Sequence, residues 1–124
     1  MDLPALALLL TRRAALVGLA VVPLPAQAHA ILQTSQPALG ANIPPGVVAF
    51  RLQYNSRIDR VRSRLTLVGP DRSQTTLTIA PEGPPDVLAS SADLKSGAYT
   101  VRWQVLAIDG HITRGDVPFT VEGP

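Results

Sequence analysis

The chain has 124 residues, with 11 Lys+Arg against 9 Asp+Glu, 46% hydrophobic residues, 12 prolines, 9 glycines and no cysteine. That length allows a single domain, and the lack of cysteine excludes a disulfide framework, a thiolate zinc site, an iron–sulfur cluster and a cysteine nucleophile. Any chemistry the chain performs must run through nitrogen and oxygen donors.

Residues 1–28 read as a targeting peptide. Arg12 and Arg13 form a positive start, and the apolar run Ala14 to Leu24 behind them is too short to span a bilayer. Pro25 and the small-x-small triplet Ala26-Gln27-Ala28 then break the helix and mark a cleavage point. The expectation is export, cleavage after Ala28, and a mature domain over residues 29–124 that does not insert in the membrane. The paired arginines fit a twin-arginine signal as well as an ordinary one. Without Arg12, Arg13 and Asp2, nine basic and eight acidic residues remain. That balance gives no reason to expect a nucleic-acid partner. Five of the basic residues, Arg51, Arg57, Arg60, Arg62 and Arg64, cluster in sequence. They form either a basic patch for an acidic partner or a solvated face flanking a strand.

Beyond residue 28 no segment shows the apolar spacing of an amphipathic helix; short apolar runs alternate with proline and glycine clusters, an all-β pattern. A first strand is expected over Ala30 to Thr34, closed by Ser35-Gln36-Pro37 and Gly40. After Pro44-Pro45-Gly46 a second runs from Val47 to Tyr54, with Val48, Phe50, Leu52 and Tyr54 on one face. Ser63 to Val68 supplies a third, and Gly69-Pro70-Asp71 turns the chain into a hairpin partner over Thr75 to Ile79. Pro81-Glu82-Gly83-Pro84-Pro85 precedes a short edge strand within Val87 to Leu94. Ala98 to Leu106 is the clearest strand, placing Tyr99, Val101, Trp103 and Val105 inward and Thr100, Arg102 and Gln104 outward. Asp109-Gly110-His111 interrupts the pattern before a last strand carrying Val117, Phe119 and Val121. About seven short strands with regular turns point to an immunoglobulin-like sandwich or Greek-key β-barrel.

The two histidines carry the functional signal. As a mature first residue, His29 offers its α-amine and its imidazole Nδ1 to one metal ion, closing a chelate ring unaided. The α-amine loses its proton far more readily than a lysine, so metal binding there releases protons and weakens as pH falls. His111 follows Asp109 across Gly110, so a tight loop presents an imidazole and a carboxylate to one point. Three nitrogens and one oxygen in a tetragonal arrangement suit Cu(II), whereas zinc prefers a tetrahedron. Met1 is the only methionine and leaves with the signal, which rules out a thioether site for Cu(I) in the mature chain. Each histidine alone also reads as an ordinary terminal or turn residue, and periodicity does not show whether the fold joins them. Hydrolysis lacks support: the chain has no Gly-x-Ser-x-Gly and His111 has no identifiable nucleophile partner.

Three stretches resemble the CopC family of periplasmic copper-binding proteins: His29 to Ala41, with its Ser-x-Pro-x-x-Gly turn; Gly97 to Val105; and Ile108 to Gly115 followed by Phe119-Thr120-Val121. The resemblance implies a small Greek-key β-barrel or sandwich in the periplasm. It implies Cu(II) held by the amine and imidazole of His29, by His111 and by Asp109, with Trp103 packed near the site. A CopD-type membrane copper transporter is the partner it suggests. Family members often carry Phe-Ser-Glu on the second strand; here Tyr54-Asn55-Ser56 stands there, without the carboxylate. The methionine-rich loop of Cu(I)-binding members is also missing.

The reading is a periplasmic Cu(II) carrier or buffer that turns over no substrate. Two other readings are a metal-free immunoglobulin-like export or interaction module and a histidine-brace copper monooxygenase. For the latter the chain is short and its five aromatic residues offer little sugar-binding surface.

Overall fold

The computed structural model describes residues 30–123. His29, like the segment expected to be the targeting peptide, lies outside the described residues. Among those residues there are eight strands and no helix, and so no helix long and apolar enough to cross a membrane. The strands are β1 (Leu32–Gln36), β2 (Asn42–Ile43), β3 (Gly46–Tyr54), β4 (Arg64–Val68), β5 (Gln74–Leu77), β6 (Val87–Leu94), β7 (Gly97–Leu106) and β8 (Ile112–Val121). They form a three-stranded sheet in the order β1-β3-β6 and a five-stranded sheet in the order β2-β8-β7-β4-β5. This is the all-β sandwich that the alternation predicts.

Period-two burial drives the packing of one sheet on the other. Val48, Phe50, Leu52 and Tyr54 of β3 are buried, as are Leu65 and Leu67 of β4, Val101, Trp103 and Val105 of β7, and Val117, Phe119 and Val121 of β8. Edge-on ring pairs knit the sheets together: Phe50 with Phe119 at 5.9 Å, and Tyr54 with Trp103 at 5.3 Å. Such pairs contribute about 0.5–1.5 kcal/mol beyond the area they bury. Tyr99 is only partly buried; it stacks on Phe119 at 5.6 Å and donates its hydroxyl to the Lys95 carbonyl.

The first strand lies two residues later than expected, over Leu32–Gln36, so that Ser35 and Gln36 belong to it. Two further elements differ from the sequence expectation. Two-residue β2 pairs parallel to the end of β8 (Asn42 opposite Thr120, Ile43 opposite Val121), and a run that short carries no periodicity. The last strand begins at Ile112, directly after His111, because Ile112 to Asp116 pair with Leu106 to Arg102 in unbroken antiparallel register. Its first half is exposed on one side and backed by Thr113 and Gly115 on the other, so no apolar alternation announces it.

The basic cluster does not form one patch of five, although Arg60, Arg62 and Arg64 line one groove. Arg51 points outward from β3, on the three-stranded sheet, and the Arg60 guanidinium is spent on the carbonyls of Pro81, Gly83, Pro84 and Val87. Arg62 lies 3.9 Å from Asp59, and Arg64 stands on the outer face of β4.

Candidate metal centre

The β7–β8 connection builds one end of the sandwich. The Ala107 amide donates to the His111 carbonyl (2.8 Å) and the Gly110 amide to the Ala107 carbonyl (2.9 Å), closing a tight reversal. Gly110 takes φ +94°, a conformation that costs glycine little and side-chain-bearing residues more. A neighbouring segment buttresses the loop. Ile58 bridges Ala107, the Ile108 amide donates to the Arg57 carbonyl, and the Asp59 amide donates to the Leu106 carbonyl.

Within this frame Asp109 and His111 face each other. One Asp109 oxygen, Oδ1, accepts the His111 amide at 3.1 Å, and the other, Oδ2, lies 2.8 Å from His111 Nδ1. Both groups reach solvent, with side-chain exposures of 57% for His111 and 28% for Asp109. Partial desolvation pushes the Asp109 carboxyl up. The hydrogen bonds from the His111 ring and amide, with the charge of the ring, outweigh that and hold it below the usual carboxylate range. A carboxylate on Nδ1 fixes the ring orientation and leaves Nε2 as the nitrogen that Asp109 does not engage.

The amino-terminal end of the described chain converges on the same place. Ala30 is 1% exposed, and its carbonyl accepts a 2.8 Å hydrogen bond from Thr113 Oγ1, two residues past His111. Ile31 pairs with Asn55 in both directions: its amide donates to Asn55 Oδ1 (2.7 Å) and its carbonyl accepts the Asn55 amide (3.0 Å). Asn55 and Thr113 thus clamp residues 30 and 31 against the mouth of the loop. Neither clamp residue stands out in the sequence as a site residue: Asn55 is notable only as the neighbour of Ser56, where the carboxylate is missing, and Thr113 reads as strand filler.

Trp103 lies between the sheets at the second inward position behind the loop, after Val105, since Trp103 pairs with Gly115 and Val105 with Thr113. Its indole covers Gly115 so closely that a methyl group there would overlap the ring. Beside it the Tyr54 hydroxyl is buried, and burial pushes its ionisation far up. Tyr54 Oη and Trp103 Nε1 have no hydrogen-bond partner among the described residues. Those residues also contain no group of three or more His, Cys, Asp and Glu able to hold a metal; Asp109 and His111 stand at the rim as a pair.

The β-sandwich thus carries an imidazole–carboxylate pair at one rim. The chain belongs to the CopC family, whose domain model matches residues 32–122. It is similar to CopC from Methylosinus trichosporium OB3b, with a TM-score of 0.68 and 21% identity, covering 76% of this chain and 94% of that one. It also resembles PcoC, a methionine-rich copper resistance protein from Escherichia coli, with a TM-score of 0.61, 27% identity and coverage of 77% and 100%. Protein YobA of Escherichia coli K12 is 29% identical over 99 residues, which is 77% of this chain and 80% of that protein. The family model and these structural neighbours agree on the fold.

Proposed function

We propose that the chain is a periplasmic Cu(II)-binding protein, cleaved after Ala28, that holds the ion between the amine and imidazole of His29 and the His111–Asp109 pair. The observation that carries this reading is the clamp on Ala30. Consecutive Cα atoms lie about 3.8 Å apart, so the clamp on Ala30 beside the start of β8 supports a reading in which the residue before it serves the same loop. His111 then donates through Nε2, while Asp109 orients the ring and supplies negative charge to offset that of the ion. Nitrogen donors with one carboxylate suit Cu(II), and the lack of sulfur after Met1 disfavours Cu(I). The site binds without catalysing: the exposed rim allows ligand exchange with a membrane copper transporter of the CopD type. Because the amine and imidazoles bind only when unprotonated, acid releases the ion.

The test is a Cu(II) titration of protein beginning at His29, read by electron paramagnetic resonance beside the same protein with one extra leading residue. One tight equivalent with a nitrogen-rich tetragonal spectrum, lost on extension, is the expected result. Binding insensitive to the extension removes the amino terminus from the site, and binding of no copper at all leaves a metal-free interaction module.

A further inference from the structure

The outer face of the five-stranded sheet carries an unbalanced row of charge next to the metal loop. Registers place Arg64 opposite Gln104 and Gln104 opposite Arg114, in a row across β4, β7 and β8. The next row, Thr66, Arg102 and Asp116, is balanced, since Arg102 Nε lies 3.2 Å from Asp116 Oδ1. In the Arg64–Gln104–Arg114 row the only acceptor is neutral: Gln104 Oε1 takes the Arg114 Nε hydrogen at 2.8 Å. Arg64 has no ion-pair or hydrogen-bond partner among the described residues. The row thus carries two guanidinium groups and no carboxylate, a donor set that an anion satisfies.

The row borders a groove of about 390 Å³, whose walls include Arg62, Arg64, Thr76 and Gln104. Its rim is rigid. Ser63, between the two arginines, is buried; its hydroxyl donates to the Asp59 carbonyl (2.6 Å) and accepts the Leu106 amide (3.2 Å). Arg62 and Arg64 are therefore fixed relative to the end of β7. On the other side of the row, Ile112 follows His111 directly and is 50% exposed; Ile108, in the loop, is 70% exposed. A cationic row, a concave wall and flanking aliphatic side chains match the composition of protein-docking surfaces, where arginine is enriched.

We propose that this face docks an acidic segment of a partner protein, whose carboxylates engage Arg64, Arg114 and Arg62 and which thereby lies two strand pairs, Val105–Thr113 and Leu106–Ile112, from the Asp109–His111 loop. Charge complementarity selects the partner: guanidinium forks take carboxylates in bidentate geometry. That the docked partner exchanges copper rests on the proposed function. The docking itself does not, and it is tested on metal-free protein so that the two ideas fail separately.

The probe is an octaglutamate peptide titrated into the chain from His29 to Pro124, followed by amide chemical shifts. Expected are shifts confined to residues around 62–64, 104 and 114, weakening with salt. Arg64→Glu and Arg114→Glu should each lower affinity about tenfold or more, as loss of a charge-assisted pair requires. Arg51→Glu and Arg72→Glu, which remove the same charge elsewhere, should leave it within about twofold. Equal loss in the Arg51 and Arg72 variants overturns the proposal, because net charge alone would then explain binding. Binding to phosphatidylglycerol vesicles without binding to the peptide also overturns it, in favour of a membrane-docking face.

Discussion

Thr113→Val tests how the amino terminus is held. Valine keeps the shape and strand preference of threonine but deletes the hydroxyl that donates to the Ala30 carbonyl at 2.8 Å. Ala30 is 1% exposed, so water does not replace the donor without opening the structure. A buried carbonyl left unsatisfied costs about 1–3 kcal/mol. The two Asn55–Ile31 hydrogen bonds continue to hold the next residue, so the fold survives and the cost falls on docking of the terminus. Apparent affinity scales with the docked fraction, and each 1.4 kcal/mol is about tenfold. Cu(II) affinity, measured by chelator competition, is therefore expected to fall about tenfold and at most about a hundredfold. Thr113→Ser, which restores the hydroxyl, should recover most of it. A valine variant with wild-type affinity and an unchanged paramagnetic resonance spectrum would show that the clamp does not position a donor, and the role given to Ala30 would be withdrawn.

Three further outcomes follow from the same geometry. Tyr54→Phe removes a buried hydroxyl with no partner among the described residues, so stability in urea should hold or rise by about 1 kcal/mol; a loss above that would reveal a hidden partner. Gly115→Ala forces the Trp103 indole to move, and should cost about 1–3 kcal/mol while shifting tryptophan emission to the red. Asp109 titrates below the ordinary carboxylate range, so its loop stabilisation is complete above about pH 3.9 and is lost as pH falls through the lower native midpoint. Carbon-detected NMR should show that low midpoint, and His111→Ala should move it up; an unmoved midpoint would mean that the ring does not hold the carboxylate.

Period-two alternation made β3, β4 and β7 readable from the sequence, because each buries one face on the opposite sheet and its side chains record that burial directly. The Asp109-Gly110-His111 motif was equally readable, since an Asx-type turn and a left-handed glycine are local properties of three residues. Sulfur content likewise needed only composition.

The tertiary structure alone decided how these parts meet. Ala30 and Thr113 are 83 positions apart, and the register of β8 on β7 with the path of the first strand brings them into contact. Asn55, which nothing in the sequence marked, turned out to grip Ile31 through both its side chain and its backbone. Arg51 parted from the rest of the arginine cluster onto the other sheet, while Arg64 and Arg114, distant in sequence, came to stand on either side of Gln104 across adjacent strands. Local patterning fixes which way a side chain points on its own strand, but strand pairing fixes its neighbours, and pairing is settled by packing the whole sandwich.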